Sequence, residues 1–400
     1  MILARFEKIL FFLTVLFLPT QLGKHFWPPF SYIYSLRVDY LSPTLYFWDL
    51  LTVALFMVWF FQKPKINRFA LNLFLFFILT QAFSLVGASN VLAGAVRLEQ
   101  YTLAGFLGVY LASMDFKNLS GKIFLPLVLS IVGESLIAVL QFIYGQTLGL
   151  WFLGERTFAL TTPGIAKFDF YGNQFLRPYA TFPHPNVLAA FVLIGVSILY
   201  QLLQKQRFVV LALIFGGITV FISMSRTAIL TGAVAILPFI KKKWWVWIAL
   251  GLLIISPVLF TRFWSLFNFD NLAFIRREEL IGSAWLTFLR HPLTGVGLNN
   301  FIPAMADNLT AGPNRFLQPV HNIFLLALSE TGLIGFLGFI VLIALPIFEL
   351  LKLYAKRYTL YPILIIVFLG LFDHYFLTLP QGYRLLFLVW GLSLSFAKDK

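Results

Sequence analysis

The sequence predicts an all-α integral membrane protein, and two observations support this fold class. Hydrophobic residues make up 60% of the 400 residues and charged residues only 12%, whereas soluble domains average roughly 45–50% apolar and about 25% charged. Apolar runs of about 20 residues recur along the chain, which is the length of a membrane-spanning helix and too long for a barrel strand. An ordinary cytosolic enzyme, a disordered chain and a nucleic-acid-binding protein are therefore excluded.

The apolar runs divide the chain into about 12 transmembrane helices, which we expect to form a single polytopic membrane domain over residues 1–400. In chain order the predicted helices are 7–22, 44–61, 69–87, 97–114, 123–144, 185–203, 208–224, 227–240, 244–262, 326–350, 358–376 and 384–397. We expect the first helix to be retained as an anchor, because no small-residue cleavage site follows it cleanly. We identify no soluble domain, no linker and no convincing internal repeat.

Loop charges orient these helices. The connections rich in Lys and Arg are 63–68, 205–207, 241–243 and 352–357. With an even number of helices, these connections fall on the same side as both termini, which the positive-inside rule assigns to the cytoplasm. Two long loops then lie outside, the first outer loop (145–184) and the large outer loop (263–325). Apolar residues recur at helical spacing within the second of these, which predicts a helix near 272–290.

The net charge of +14 is distributed unevenly between the two cation types. On this topology 13 Lys and 4 Arg are cytoplasmic, whereas 2 Lys and 11 Arg lie outside or at the outer membrane edge. Arg binds phosphate bidentately through a planar fork of donors, so an outer arginine surface can hold a diphosphate. The outer arginines considered are Arg97, Arg177, Arg226, Arg276, Arg277 and Arg384. The alternative is that each Arg extends towards lipid phosphates at the membrane surface.

Arg226 differs from the other arginines because it lies between two apolar segments, where a charge near lipid is costly unless it has a function.

The first outer loop ends in another notable stretch, in which Pro183 and Pro185 fix the backbone around His184. Asn186 is then expected to cap the following helix. A structural loop-to-helix transition and a role in contacting or positioning a sugar both remain open for this stretch.

Glycine and histidine form the next pattern. Gly295 and Gly297 allow a tight turn with a close backbone approach. His321 precedes a long apolar helix, and Gly332 and Gly335 remove side chains from one face of that helix, which predicts close helix packing. A histidine of ordinary pKa can accept a proton from a hydroxyl group at neutral pH.

Four acidic residues bear on these groups. Arg276 and Arg277 are followed by two glutamates, which also fits a solvated, self-paired helix face. Glu330 is nine residues after His321, about 180° around an ideal helix, so we do not assign it as the partner that orients His321. Asp373 is costly inside a predicted span and is expected to pair with an outer Arg.

Taken together, these motifs resemble the O-antigen ligase and O-antigen polymerase superfamily of polytopic bacterial membrane proteins. The resemblance is strongest over residues 170–340. It is carried by Ser225-Arg226 with Leu230, Arg277 upstream of 292–297, His321-Asn322 with Gly332 and Gly335, and the stretch from Arg177 to Asn186. The histidine pattern is specific, whereas the arginine patterns are informative mainly because of their order.

The resemblance implies a glycosyltransferase C-type fold and an enzyme that needs no metal, nucleotide or other cofactor. Such enzymes transfer a glycan from a polyprenyl (undecaprenyl) diphosphate carrier to an acceptor hydroxyl at the outer leaflet. The family's essential residues correspond here to Arg226, Arg277 and His321. Family members often have a Trp four residues after the second Arg, where this chain has Ile281. This departure leaves Arg276 as a rival for the role of Arg277.

The residues expected to bind diphosphate or substrate around this catalytic set are Arg177, Arg276, His184, Asn186, Asn322, Arg384 and Asp373. The absence of DxD and HExxH patterns disfavours a metal-dependent nucleotide-sugar enzyme. We expect a multi-pass protein of the inner (cytoplasmic) membrane with both termini in the cytoplasm and the site on the outer face. Its expected partners are membrane lipids, the lipid-linked glycan and an acceptor, with no nucleic acid.

Three acceptors remain open within the enzyme hypothesis. They are a lipid A core in lipopolysaccharide biosynthesis (ligase), another lipid-linked glycan (polymerase) and a protein hydroxyl (O-oligosaccharyltransferase). The histidine pattern favours the ligase.

A transporter or flippase for lipid-linked glycans is the rival class of protein. This class predicts ionisable residues near mid-membrane together with paired broken helices. The unusual polar residues instead cluster at outer loops and helix ends.

Overall fold

The structure is a computed structural model, and the residues it describes are 2–202, 207–237, 241–264, 272–310, 315–352 and 357–398. The predicted helix ends at 203 and 240 lie outside these residues, as do Lys205 and Lys356 among the orienting cations. Parts of the large outer loop, 265–271 and 311–314, are likewise outside the described residues.

The described chain is predominantly helical. The helices are α1 (Ile2–Leu16), α2 (Phe47–Phe61), α3 (Arg68–Phe83), α4 (Val91–Ser113), α5 (Phe116–Tyr144), α6 (Pro185–Leu202), α7 (Arg207–Ile222), α8 (Arg226–Ile236), α9 (Trp245–Trp264), α10 (Leu272–Arg290), α11 (Phe301–Met305), α12 (Ile323–Leu351), α13 (Tyr361–Gly370), α14 (Tyr375–Thr378) and α15 (Pro380–Lys398). Each predicted apolar segment contains a helix, and α10 confirms the helix predicted near 272–290. The predicted helix 358–376 is shorter than expected, because α13 ends at Gly370 and a turn precedes α14.

Several of these helices have the length and composition of membrane spans. Among the described residues, four helical segments are long and apolar enough to cross a membrane: Arg68–Gly87, Phe116–Tyr144, Lys242–Trp264 and Ile323–Leu351. The shorter apolar helices are Phe47–Phe61, Pro185–Tyr200, Arg207–Ile222, Arg226–Ile236 and Tyr361–Gly370. The chain is therefore consistent with an all-α membrane protein, and the total of about 12 crossings remains a prediction.

Three small antiparallel sheets, which the sequence analysis did not predict, lie in the connections. They pair β1 (Gly23–His25) with β4 (Thr44–Tyr46), β2 (Tyr32–Ile33) with β3 (Leu36–Arg37), and β5 (Lys167–Phe170) with β6 (Asn173–Leu176). Each strand has only two to four residues, which is too short for an alternating pattern to be distinct in the sequence. All three sheets lie on the side predicted to be outer.

Helix α12 is interrupted at Gly332, whose φ of 59° and ψ of −166° are not helical. The interruption exposes backbone groups that pair with the preceding loop: Leu333 N–H donates to Pro292 O at 2.8 Å, and Gly297 N–H donates to Glu330 O at 2.8 Å. The sequence analysis expected Gly332 to allow close helix packing. That interpretation was wrong for this residue, because the glycine provides a left-handed backbone and admits a loop rather than a helix.

The other predictions about this region are confirmed. Gly295 and Gly297 have positive φ angles of 64° and 99°, as a tight turn requires. Gly335 does lie at a close helix contact, since Gln81 of α3 donates to its carbonyl at 2.9 Å. Glu330 accepts the backbone N–H of Phe301 at 3.3 Å, so its side chain supports the loop that follows the turn.

Candidate active site

A cavity of about 1490 Å³ penetrates the molecule on the side predicted to face outwards. Its wall consists of residues drawn from 21–46, 96–100, 151–187, 225–230, 262–277, 299–321 and 368–383. These segments are connections and helix ends that alternate to the side opposite both termini in the predicted topology. Distant parts of the sequence thus contribute to one cavity.

Arginine dominates the charge of this wall. The arginines that line it are Arg37, Arg97, Arg156, Arg177, Arg226, Arg262, Arg276 and Arg277, and the acidic residues are Asp39, Glu155 and Asp373. No lysine is among the described lining residues. The excess of arginine over lysine that the sequence shows for the outer side therefore coincides with a concave surface suited to anions.

On one side of the cavity, a chain of hydrogen bonds connects Arg177, Asn186 and Asp373. Arg177 Nη2 donates to Asn186 Oδ1 at 2.7 Å, and Asn186 Nδ2 donates to Asp373 Oδ2 at 3.1 Å. Arg177 Nε also donates to the carbonyl of Ser223 at 2.7 Å. The guanidinium of Arg177 is buried and therefore held in a fixed orientation.

Asn186 does not cap α6, contrary to the prediction. His184 takes that position, because its Nδ1 accepts the backbone N–H of Asn186 at 3.1 Å and its carbonyl accepts the N–H groups of Val187 and Leu188. The Asn186 amide is thereby available to link Arg177 to Asp373. The two prolines around His184 explain why a histidine can hold this position rigidly.

His321, His374 and Asp373 form a compact cluster in the same wall. The rings of His321 and His374 lie edge to face with centroids 5.0 Å apart, and His374 Nε2 is 4.0 Å from Asp373 Oδ1. His374 Nδ1 is 2.6 Å from Thr378 Oγ1. His321 Nδ1 is buried and has no hydrogen-bond partner among the described residues. This nitrogen is consequently available to a ligand in the cavity.

The same cluster has the spacing of a possible metal site. His321, Asp373 and His374 each offer one ligand atom, and these atoms lie within 4.8 Å of one another. Two imidazoles and one carboxylate suit ions such as Zn²⁺ or Fe²⁺. Arg177 and Arg277 act electrostatically on the surrounding imidazoles, and these positive charges oppose the binding of a further cation.

Burial controls the protonation of the histidines, which lie in turns outside the helices. It lowers the pKa of His321 below the ordinary value of 6.5, an effect that Asp373 opposes and Arg277 reinforces. Burial likewise lowers the pKa of His184 and of His374 to about 3. All three imidazoles are therefore neutral near pH 7, and a neutral imidazole can accept a proton.

Asp373, unlike the three imidazoles, is charged at neutral pH. Burial by itself raises the pKa of this carboxyl group, but His374, His321 and His184, together with the hydrogen bond from Asn186, hold it below its ordinary value. The site thus contains a carboxylate next to neutral imidazoles. This is the arrangement in which an acidic group can orient a base and stabilise the imidazolium formed when that base accepts a proton.

Arg226 and Arg262 form a second group in the cavity wall, where the start of α8 meets the end of α9. Arg226 Nε donates to the carbonyl of Arg262 at 3.0 Å, and Arg262 Nε donates to the carbonyl of Met224 at 2.8 Å. The sequence analysis overlooked Arg262 because it ends an ordinary apolar segment. Its membership in the arginine-rich outer set was the signal that could have identified it.

Arg276 and Arg277 both line the cavity but have different neighbours. The guanidinium of Arg276 lies 4.8 Å from the centroid of the Phe316 ring. Arg277 instead exerts its charge on His321, His184 and Arg226. The neighbours of Arg277 are therefore the residues that the sequence analysis assigned to the site.

Two predicted binding residues do not line the cavity. Arg384 is 0% exposed; it pairs with Asp49 at 3.4 Å, and its guanidinium lies 4.5 Å from the centroid of the Trp48 ring. Asn322 caps α12, since its Oδ1 accepts the N–H groups of Phe324 and Leu325, both at 2.9 Å. The structure gives both residues a role in the fold, and their contact with substrate remains a prediction.

The fold and the site together define the class of this molecule. It is a helical membrane protein with a deep, arginine-rich cavity that contains histidine and carboxylate groups. Comparison with known families identifies it more closely. Residues 209–340 match the family described as O-antigen ligase, which confirms the resemblance drawn from the sequence motifs. The match covers about a third of the chain and includes Arg226, Arg262, Arg277 and His321. No curated protein matches the chain.

Proposed function

We propose that this protein transfers a glycan from a polyprenyl (undecaprenyl) diphosphate carrier to an acceptor hydroxyl at the outer face of the cytoplasmic membrane. One observation carries the proposal: Arg226, Arg277 and His321, which match the family motifs, line the same cavity. They come from the start of α8, from α10 and from the turn before α12. The proposal includes a glycosyltransferase C-type fold with both termini in the cytoplasm.

The arginines act on the leaving group. As the acceptor oxygen bonds to the anomeric carbon, the bond from that carbon to the diphosphate oxygen breaks and its electron pair stays on the diphosphate. Arg226 and Arg277 stabilise this developing negative charge through bidentate hydrogen bonds. We assign a supporting role to Arg262, whose backbone carbonyl accepts a hydrogen bond from Arg226. Arg177 has a similar role, and its guanidinium is held by a hydrogen bond to Asn186.

His321 acts as the general base. Its neutral imidazole accepts the proton of the acceptor hydroxyl, and Asp373 stabilises the resulting imidazolium. The proton thus moves from acceptor to histidine while the polyprenyl diphosphate leaves. We assign the essential loop arginine to Arg277 rather than Arg276, because the charge of Arg277 acts on His321 whereas Arg276 packs on Phe316.

The acceptor is proposed to be a glycan on lipid A, as in the O-antigen ligase step of lipopolysaccharide biosynthesis. The match to the O-antigen ligase family supports this choice. A lipid-linked glycan as acceptor would make the protein a polymerase, and a protein hydroxyl would make it an O-oligosaccharyltransferase. The same purified enzyme can be offered all three acceptors.

A transfer assay in reconstituted vesicles tests the proposal. The vesicles contain a polyprenyl-diphosphate glycan and one acceptor at a time, without nucleotide, and the labelled product is measured. We expect transfer by the wild type and at least a 10³-fold loss in His321→Ala. His291→Ala provides a matched control, because His291 is exposed and does not line the cavity. Movement of the lipid across the bilayer without transfer to any acceptor would support the flippase class instead.

A further inference from the structure

Part of the cavity wall comes from two connections that the proposed reaction does not use. These are the connection between α1 and α2, which contributes residues from 21–46, and the start of the first outer loop, which contributes residues from 151–165. We call the cavity-lining residues of these two ranges the N-terminal wall. Both ranges lie outside residues 209–340, which match the O-antigen ligase family. The family match therefore gives this wall no role.

The two connections are fixed against each other. Thr20 Oγ1 donates to the carbonyl of Leu153 at 2.6 Å. Gly154, with a φ of 95°, lies so close to the other connection that an added Cβ would clash with the backbone nitrogen of Leu22. The buried carboxylate of Glu155 accepts two backbone N–H groups of its own loop at 2.8 and 2.6 Å. The N-terminal wall is thus rigid, and a rigid surface loses little freedom when it binds a ligand.

Trp151 gives this wall a large aromatic face. Its side chain is 71% exposed and lines the cavity. A pyranose ring has apolar C–H groups on its faces and hydroxyl groups at its edge, so it can stack on such a ring. Tryptophans that anchor a protein at the membrane surface are exposed as well. Trp151 differs from a simple anchor because it shares the cavity wall with Gln21, Asp39 and Arg156.

The polar groups of the wall are suited to hydroxyl groups. Gln21 Nε2 is buried and has no hydrogen-bond partner among the described residues, and a buried donor of this kind gains free energy from an acceptor that a ligand supplies. Arg156 is exposed, and its charge acts on His25, Tyr40 and Tyr179, which line the same cavity. A hydroxyl group can accept from both donors. The wall therefore combines a stacking face with hydrogen-bond donors, as a sugar requires.

Tyr40 connects the N-terminal wall to the proposed reaction centre. Its ring lies edge to face with the ring of His374, with centroids 5.6 Å apart. The ring of His374 lies edge to face with that of His321 in turn. This path ends at the proposed base, which takes the proton of the acceptor hydroxyl. It leads to the group that meets the acceptor rather than to the arginines that receive the diphosphate.

We propose that the N-terminal wall binds the sugar units that follow the reacting sugar in the acceptor glycan. Trp151 stacks on one pyranose ring, and Gln21 and Arg156 donate to its hydroxyl groups. The acceptor is then a glycan of at least two sugars, which argues against a protein hydroxyl as the acceptor. The inference rests on the proposed function, because it extends the acceptor site of that reaction.

Dependence on acceptor length separates this wall from the reaction centre. The probes are the terminal monosaccharide and the terminal trisaccharide of a lipopolysaccharide core, each a soluble glycoside with the same reacting hydroxyl. We expect Trp151→Ala to raise KM for the trisaccharide about tenfold through the lost ring contact. KM for the monosaccharide and for the polyprenyl-diphosphate donor should stay within about twofold of wild type. Trp151→Phe keeps an apolar ring and should retain most of the affinity for the trisaccharide.

The matched control is Tyr171→Ala. Tyr171 belongs to the same outer loop and is 75% exposed, but it does not line the cavity. We expect unchanged KM values for both acceptors in this variant. In Trp151→Ala, an equal change for the two acceptors or a rise in the donor KM would overturn the proposal. An equal loss in Tyr171→Ala would overturn it too.

Saturation-transfer NMR gives a readout that does not require transfer of a glycan. The trisaccharide is mixed with protein in detergent, and we expect the second or third sugar to receive saturation from the wild type but not from Trp151→Ala. Absence of binding to the wild type contradicts the proposal. If the trisaccharide binds in this way but is never glycosylated, the proposed function fails while the N-terminal wall keeps its role. If transfer occurs without any dependence on Trp151, the proposed function stands and this inference fails.

Discussion

At the scale of single residues, Asp373 is the buried carboxylate around which the proposed site is arranged. The carboxylate is linked to Arg177 through Asn186 and lies beside His374 and His321. These groups are brought together from three separate connections. Its position next to the proposed base makes Asp373 a positioning residue, and the charge it exerts on His321 leads to a prediction about pH.

We expect the acidic limb of the pH profile to move when Asp373 is replaced by Asn. Transfer should fall at low pH as His321 becomes protonated, with an apparent pKa below the ordinary 6.5 because burial lowers it. Asp373 raises the pKa of His321, so Asp373→Asn should shift this limb to lower pH. The plateau of kcat/KM should fall at least about tenfold through loss of imidazolium stabilisation. The measurement is kcat/KM from pH 4.5 to 8.5 for both proteins, and an upward shift of the limb would contradict the assignment.

The arginines predict a distinction between charge and geometry. Arg226→Lys and Arg262→Lys keep the positive charge but lose the fork of donors, so we expect kcat to fall about tenfold or more in each. Arg290→Lys is the matched control, because Arg290 is also predicted to lie on the outer side but is outside the cavity wall. Single-turnover rates at saturating carrier measure the effect. Near-normal rates in both cavity variants would indicate that these arginines serve only as membrane-surface cations.

Sequence reasoning at this scale identified residue types better than contacts. Arg384 looked like a diphosphate ligand because of its side and its charge. Its partner Asp49 is more than 300 positions away along the chain, and one sequence contains no signal of that pairing. Arg262 was missed for the converse reason, since its contact with Arg226 exists only once α8 and α9 meet.

At the scale of secondary-structure elements, apolar length predicted the helices well, because each span must be long and apolar whatever its neighbours are. The break in α12 could not be predicted in the same way. Gly332 and Gly335 look equivalent in the sequence, yet the turn at 292–297 packs on one and α3 packs on the other. The difference depends on a loop whose docking the helix pattern does not encode.

Gly332→Ala should therefore destabilise the protein. An added Cβ would clash with the backbone carbon of Leu293, and the φ of 59° and ψ of −166° lie in a glycine-favoured region that costs an L-residue on the order of 1–3 kcal/mol. We expect a loss of at least about 2 kcal/mol in unfolding free energy, together with weaker transfer because the turn before His321 shifts. Thermal unfolding in detergent measures the first effect.

Gly133→Ala in α5 is the control for that experiment. Nothing lies within 4 Å of a Cβ at this position, and alanine is favoured over glycine inside a helix by about 1 kcal/mol. We expect this variant to unfold at the same or a slightly higher temperature. If the two variants behave alike, the break at Gly332 is not required for the fold.

At the scale of the whole molecule, the distribution of charge bears on whether the proposed reaction needs a metal. His321, Asp373 and His374 have the spacing of metal ligands, but eight arginines and three acidic residues line the cavity around them. Such a wall favours anions over divalent cations. In the proposed reaction, guanidinium groups supply the positive charge that a metal would otherwise supply to the diphosphate.

We therefore expect transfer to continue after metal removal. Enzyme treated with EDTA and dialysed should retain its rate within about twofold, because no step of the proposed reaction requires a Lewis acid. Metal content by mass spectrometry establishes that removal is complete. Loss of transfer that Zn²⁺ or another divalent ion restores would instead assign the histidine and aspartate cluster to a metal.

The topology gives the last prediction, and the chain is suited to testing it because it contains no cysteine. In the predicted topology, the segments that form the cavity wall lie on the side opposite both termini, so one accessibility experiment locates the site relative to the membrane. Tyr171, in the turn between β5 and β6, and Asn118, at the start of α5, are both exposed.

We expect Tyr171→Cys to react with a membrane-impermeant thiol reagent in cells whose cytoplasmic membrane is intact but accessible. Asn118→Cys should react only after that membrane is permeabilised, because the lysine-rich side is predicted to be cytoplasmic. Neither substitution changes a charged residue, so the charge bias that sets orientation is preserved. The reverse labelling pattern would place the arginine-rich cavity in the cytoplasm and remove the outer leaflet from the proposed reaction.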